Sequence, residues 1–234
     1  MDSRFRAVCF DLYGTLTPEY AEADRLAMVW EMADAVGAER EPFRERWDAG
    51  MHDRMTGRIG IRQNAQEICR ELGLNPDADQ LEEGWRRRVA RQQHYFRTPV
   101  SVVETLKLVR HHGYPMAIVS ASTEETSVVF ATSPLAPFFG VTVFSHEVGV
   151  MKPDPKIYAL AAEGLGVEPE RCLYVGDGAF GELAGAREAG MSPVLLRPRD
   201  ALSSADVHRP DSEVDSWTGE TIVALPEVLR LLCA

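Results

Sequence analysis

The sequence predicts an α/β fold: a doubly wound parallel sheet into which an all-helical segment is inserted. Three observations lead there. Five short apolar runs, at 7–10, 116–119, 141–144, 173–175 and 193–196, contain Val, Ile or Phe and few charges, as strands buried on both faces do. Helical patterns separate the later runs, and strand–helix alternation of this kind builds a doubly wound sheet. The whole of 18–97 breaks that alternation with helical pattern and no strand signal, where a simple crossover needs about a dozen residues.

The elements follow in order. The first strand, 7–10, ends at Asp11. After Pro18 come four helices, at 20–36, 42–55, 61–72 and 78–96, read here as a cap domain. The catalytic core is then 1–17 with 98–234, and the cap is 18–97. Trp30, Trp47 and Trp85 stand at helical spacing from other apolar residues and are expected in the cap interior. The next helix, 100–111, places Val102, Val103, Leu106 and Val109 on one face and stops at Gly113. A helix at 154–165 opens on Pro155, favourable in a first turn, and ends before Gly166. A helix at 182–189 stops at Gly190. The polar segment 203–218 reads as a surface loop before a final helix at 226–232.

Composition bounds the function. The chain has 234 residues, enough for one large α/β domain or a core with a smaller insert. Its formal net charge of −11 argues against nucleic acid and anionic lipid as partners. An anionic substrate must then be attracted locally, by a metal or a lysine. The four cysteines, Cys9, Cys69, Cys172 and Cys233, form no C-x-x-C pair and read as free thiols, which suits a reducing, cytoplasmic setting. The N-terminal stretch MDSRFRAVCFDLYG reads as neither signal peptide nor membrane anchor, and no apolar run approaches a bilayer span.

In an open parallel sheet, ligands bind outside the carboxyl ends of the strands. The residues there are Asp11 in FDLYGTLT, Ser120 in AIVSAST, Lys152 in GVMKPDPKIY and Asp177 in YVGDGAFGEL. This set suits attack on a phosphate ester. A carboxylate can attack phosphorus and split hydrolysis into two steps. Anion attacking anion needs neutralisation, which magnesium on two carboxylates and a carbonyl can supply, with Lys152 taking the remaining charge. The Ser120 hydroxyl and nearby backbone amides can hold phosphate oxygens.

These residues also resemble the haloacid dehalogenase superfamily over nearly the whole chain. Asp11-Leu12-Tyr13-Gly14-Thr15 matches its first motif, and Ser120 its second. Lys152-Pro153-Asp154-Pro155 matches the third, and Gly176-Asp177 with Glu182 the fourth. Singly each is weak; all four in order, each after a strand, are specific. The resemblance implies a Rossmann-like core with a mobile helical cap. It implies Asp11 as nucleophile with Lys152 as its catalytic partner, and Thr15, Ser120, Ala121 and Lys152 as substrate-binding residues. It also implies Mg2+ held by Asp11, the Tyr13 carbonyl and Asp177, with Glu182 reaching the metal directly or through water.

One position departs from the phosphatases of that superfamily. Most carry a second Asp two residues after the nucleophile, as general acid and then base; here Tyr13 stands, and a phenol with pKa near ~10 is a poor base. Tyr at this position resembles the 2-haloacid dehalogenases, whose halide leaving group needs no proton. Those enzymes work without metal and have Ser-Ser-Asn where this chain keeps Gly176-Asp177-Gly178. Nor is their cap arginine motif evident, although Arg25 and Arg40 lie in the right region. A magnesium-dependent phosphatase acting on a small phosphorylated molecule is the leading expectation, with a dehalogenase and a retired, binding-only hydrolase as alternatives. Substrate identity and oligomeric state are not readable.

Plainer readings stand beside these. Asp11 and Asp177 singly would be helix caps. The run Arg86-Arg87-Arg88 with Arg91 reads as a solvated helix face. The loop 51–60, with Arg54, Arg58 and two glycines, is a weak candidate for a substrate-facing edge.

Overall fold

The computed structural model describes residues 4–18, 21–198 and 212–233. Among them six strands form one parallel sheet in the order β3-β2-β1-β4-β5-β6. They are β1 (Ala7–Phe10), β2 (Met116–Ser120), β3 (Val141–Phe144), β4 (Cys172–Gly176), β5 (Ser192–Leu196) and β6 (Thr221–Ile222). The chain winds outward from β1 through β2 to β3, then returns to the other side of β1 for β4. The order therefore reverses between β1 and β4, which is where such sheets leave a crevice.

Strand side chains alternate between faces, and two cores result. Val8, Phe10, Ile118 and Val175 share one apolar cluster with Val102, Leu106 and Val109 of helix α6 (Val100–His111). Ala7, Cys9, Val119 and Tyr174 share the other with Ile157, Tyr158 and Ala161 of helix α9 (Pro155–Leu165) and Leu183 and Ala186 of helix α10 (Glu182–Glu188). Asp154 caps α9, its side chain accepting from the Lys156 amide at 2.9 Å.

Five helices precede α6: α1 (Glu22–Ala35), α2 (Arg40–Ala49), α3 (Met51–Met55), α4 (Ile61–Glu71) and α5 (Ala78–Tyr95). They bury an apolar cluster of their own around Val29, Met32, Phe43, Trp47, Ile61 and Ile68. Trp85 packs against it, but Trp30 does not join it and instead lies under the Arg40 guanidinium, 5.4 Å from ring centre. The helix expected at 42–55 is two helices broken at Gly50, whose bare Cα lies against the Arg54 and Asn64 side chains. The start expected at Tyr20 lies outside the described residues, as does 203–211 of the expected surface loop.

Three short helices leave no periodic mark in the sequence and were not expected: α7 (Glu124–Phe130), α8 (Ser145–Val148) and the 3-10 turn Ala136–Phe138. The same holds for β6, two residues paired at Leu195↔Thr221 and Leu196↔Ile222. The last helix begins as a 3-10 turn, Leu225–Glu227, and continues as α11 (Val228–Leu232). Cys9, Cys69 and Cys172 are buried free thiols, and Cys233 is exposed. Among the described residues no helix is long and apolar enough to cross a membrane.

Helix α10 crosses the Lys152 loop so closely that a Cβ at Gly185 would overlap the Pro153 carbonyl. Gly→Ala in an unobstructed helix stabilises by about 1 kcal/mol. Gly185→Ala is expected to do the reverse and lower Tm in thermal unfolding. A raised or unchanged Tm would mean that the loop yields at no cost.

Candidate active site

The end of β1 delivers Asp11 to the crevice, and the loop after it is pinned. Leu12 and Leu16 are fully buried, and the Leu16 and Thr17 amides both donate to the Leu12 carbonyl. Gly14 adopts φ +78°, and a Cβ there would overlap the Asp177 carboxylate. Glycine is thus required both by the backbone region and by the close approach of a second acid. The Asp11 amide donates to the Val175 carbonyl of β4 at 2.9 Å, tying the two strand ends together.

Around this junction three carboxylates converge. Asp11, Asp177 and Glu182 are all buried, and each offers an oxygen within 4.8 Å of the others. Lys152 sits among them, its Nζ donating to Asp11 Oδ1 and Glu182 Oε2, both at 2.6 Å. Glu182 is held further by the Tyr174 hydroxyl at 2.6 Å and the Gly178 amide at 2.8 Å. The Ala179 amide donates to Asp177 Oδ1 at 3.0 Å. Gly176 is the near wall of this arrangement, since a Cβ there would overlap Glu182 Oε1.

Three carboxylates against one ammonium leave a formal excess of two negative charges, and the titration shifts report it. Burial, opposed by Lys152 and reinforced by Glu182, pushes Asp11 up to about 6. Burial, then Glu182 and Asp11, push Asp177 well above the ordinary carboxylate range. Burial works against the Lys152 charge, but Asp11 and Glu182 outweigh it and raise its pKa.

Three buried oxygens here have no hydrogen-bond partner: Asp11 Oδ2, Thr15 Oγ1 and Ser120 Oγ. Leaving a buried polar group without a partner costs about 1–3 kcal/mol, so these three atoms have unused hydrogen-bonding capacity. An acceptor carboxylate and an all-oxygen acidic cluster fit a hard divalent cation. Two hydroxyls able to donate fit an oxyanion.

Asp11, Tyr13, Ala121, Lys152, Asp177 and Glu182 all line one cavity of about 170 Å³. Thr15 and Ser120 stand behind its wall, buried but not lining it. Tyr13 faces the helical insertion: Gln92 Nε2 of α5 donates to its hydroxyl, which also bonds Thr126 Oγ1 of α7 at 3.0 Å. Phe96 meets the ring edge-on at 6.0 Å. Burial pushes the phenol pKa further above its usual value.

The insertion contributes Arg25, Arg54 and Arg88 to the cavity lining, of which the sequence pattern pointed to Arg25 and Arg54 but read Arg88 as solvated. Arg88 is not part of a solvated face: it is 6% exposed and pairs with buried Glu125 of α7, while Arg86 and Arg87 do face solvent. Arg54 is 4% exposed, and Arg58 is exposed and paired with Asp53. Arg25 lines the cavity, tied to Glu22 and Asp48. Arg40 lies elsewhere, paired with Asp34. One signal was available for Arg88. Arg88 stands seven residues after Leu81, three after Trp85 and four before Gln92, at helical spacing from the inward-facing side of α5.

Residues 5–190 match the family model of the haloacid dehalogenase-like hydrolases. The chain is 35% identical over 125 residues to a glyceraldehyde 3-phosphate phosphatase of Methanopyrus kandleri, covering 52% of this chain and 54% of that one. The match thus spans about half of that relative's length. It is 28% identical to an (S)-2-haloacid dehalogenase of Burkholderia cepacia over 84% of each chain. A solved phosphatase of the same superfamily, from Thermococcus onnurineus, shares the fold with a TM-score of 0.65 at 23% identity, covering 97% of this chain and 98% of that one.

Removing the ammonium should expose the repulsion among the acids. Lys152→Met is expected to cost about 3–5 kcal/mol at pH 7.5, the scale for an uncompensated buried charge. Asp11's folded pKa, about 6 with Lys152 holding it down, already lies above its unfolded value of 3.8, and loss of the lysine raises it further in the variant. Such a group's stability contribution is present below the unfolded pKa and lost as pH rises through the folded one. The variant's deficit should therefore be smaller at pH 5 than at pH 7.5 in thermal unfolding with chelator. A deficit independent of pH would mean that the carboxylates do not repel in the folded state.

Proposed function

The chain belongs to the haloacid dehalogenase-like hydrolases, and within that family we propose that it is a magnesium-dependent phosphatase acting on a small phosphate ester or anhydride through an aspartyl-phosphate. The observation that carries this reading is the buried Asp11–Asp177–Glu182 cluster around Lys152, with Asp11 Oδ2 left without a partner. We read the helical insertion as the cap that closes over this site. The buried thiols of Cys9, Cys69 and Cys172 suit the reducing, cytoplasmic setting that completes the reading.

The residues divide the work as follows. Asp11 Oδ2 forms the bond to phosphorus as the bond to the leaving oxygen breaks. Lys152 holds Asp11 ionised through Oδ1 and leaves Oδ2 to attack. The Thr15 and Ser120 hydroxyls, buried without partners and outside the present lining, would donate to phosphoryl oxygens that reach past it. Asp11, the Tyr13 carbonyl and Asp177 would hold magnesium, with Glu182, which also fixes Lys152, reaching it directly or through water. When bound, the ion supplies charge neutralisation between anionic nucleophile and anionic phosphate. Water then cleaves the aspartyl-phosphate, freeing phosphate and restoring Asp11.

Tyr13 stands where a general acid would be expected, and its hydroxyl is already engaged by Gln92 and Thr126. The departing oxygen therefore takes its proton from solvent. The same feature favours the second reading, dehalogenation of a 2-haloacid, in which halide leaves without a proton. A panel of phosphate esters and 2-haloacids, each with magnesium and with chelator, separates the two. Phosphate release that needs magnesium supports the phosphatase. Chelator-insensitive halide release supports the dehalogenase.

Two outcomes are expected. Asp11→Asn should lower turnover by more than about 10³-fold with the fold intact, since losing a covalent nucleophile costs up to about 10⁶-fold; substantial residual phosphate release would remove Asp11 from that role. Aryl phosphates, which need little protonation, should turn over at least about 10²-fold faster than alkyl phosphates, the lower end of what general acid catalysis contributes. Tyr13→Asp should narrow that ratio. Equal rates on both classes in the wild type would show that another group supplies the proton.

A further inference from the structure

The phosphoryl chemistry leaves two cavity residues unexplained. Arg54 of α3 and Arg88 of α5 line the same cavity as Asp11, yet they are 4% and 6% exposed. Arginine is almost never buried to that degree unless its charge is paired. Among the described residues Arg54 has no carboxylate in contact. Its Nη1 donates to the Trp47 carbonyl and to Asn64 Oδ1, each at 2.6 Å, and both acceptors are neutral. Its Nε has no partner. Arg88 pairs with Glu125, but its Nε is also without a partner.

The two guanidiniums are gathered on one aromatic surface, 4.0 and 5.1 Å from the centre of the Trp47 ring. That packing fixes their positions, with Gly50 giving Arg54 the space to enter. The cost of the arrangement is visible in the titration of Arg54, which burial and then Arg88 push down to about 9. Apolar side chains of similar volume would stabilise such a site at least as well. The charge is held ready for something that is not part of the chain.

Charge and volume say what. On this side of the cavity the lining carries Arg25, Arg54 and Arg88 against Asp48 and Glu125, an excess of one positive charge, and Arg54 is the arginine with no carboxylate in contact. One excess charge matches a monoanion. The cavity, about 170 Å³, is close to the size that holds a benzene molecule, so a phosphoryl group leaves room for only a few more atoms. Guanidinium and carboxylate match in geometry as well as in charge.

We propose that Arg54 and Arg88 bind a carboxylate on the organic part of the substrate, so that the preferred substrate is the phosphate ester of a small hydroxy acid. The proposal rests on the phosphatase reading and adds the class of its leaving group. The acidic cluster and the arginine pair then take the two anionic groups of one short molecule, the first through the bound cation and Lys152.

The test is calorimetric, on the whole chain with magnesium in excess, using phosphonates that cannot turn over. Phosphonoacetate and ethylphosphonate differ in carrying a carboxylate or a methyl group, and methylenediphosphonate replaces the carboxylate with a second phosphonate. Phosphonoacetate is expected to bind 10- to 100-fold more tightly than ethylphosphonate, the range of a charge-assisted hydrogen bond. Arg54→Met should close that gap. An Arg88→Met/Glu125→Gln double exchange, which removes the ion pair together, should narrow it in a second background. Equal wild-type affinities for phosphonoacetate and ethylphosphonate, with aryl phosphates still hydrolysed, would overturn the carboxylate site and leave the phosphatase reading standing. Tightest binding of methylenediphosphonate would overturn it too, in favour of a second phosphoryl group. No binding of any of the three and no phosphate release would bring down the phosphatase reading itself.

Discussion

The buried ammonium of Lys152, shared between Asp11 and Glu182, is the interaction on which the site depends. Three carboxylates do not gather in a protein interior unaided. Each pays desolvation, and each raises the cost of ionising the next. The sheet topology brings them together all the same, because the strand order reverses between β1 and β4 and both strand ends carry an acid. Lys152 offsets part of that repulsion, and the surrounding structure is shaped to keep it there. Tyr174 and the Gly178 amide hold Glu182 in place; Gly176 and Gly14 are bare so that Glu182 and Asp177 can approach.

The cavity has two walls of opposite character. The core supplies acids and one lysine; the helical insertion supplies arginines and Trp47. The insertion is fastened to the core by polar contacts as much as by apolar ones. Arg88 pairs with Glu125, the Ile61 amide donates to Glu124 Oε1 at 3.2 Å, and Gly57 lies flat against the His146 carbonyl. An apolar seam would be indifferent to what lies in the cavity. A polar one competes with it, since Glu125 and an incoming anion share the same guanidinium.

How much of this was legible in the sequence follows from how far each feature reaches along the chain. Asp11, Ser120, Lys152 and Asp177 come after short apolar runs, so strand pattern and residue type pointed to them together, whereas Glu182, beyond a further turn, was reached only through the family resemblance. The strands at 7–10 and 141–144 and the helix at 100–111 matched residue for residue, being bounded by Asp11, Gly113 and similar punctuation. Features made by distant partners left no such trace. Tyr13 meets Gln92 and Thr126, and Arg54 meets Asn64, only after the insertion has folded back. β6 pairs through two residues, too few to establish a period. The insertion could be recognised as helical from its own pattern, but which of its arginines turned inward was decided by Gly50 and by the face α5 presents to α7.

The hydroxyl of Tyr13 joins Gln92 of the insertion to Thr126 of the core, and so it spans the seam that any opening of the insertion must part. One hydrogen bond of this kind is worth about 0.5–1.5 kcal/mol, or a roughly two- to tenfold change in the ratio of shut to open molecules. A side chain poorly suited to shuttling protons is thereby well suited to being a clasp. Were the insertion to open and shut over a ligand, residence time and solvent exchange would be set partly at the same atom that a conventional acid would use for chemistry. Exchanging that residue would act on the seam and on the leaving-group side of the cavity at once.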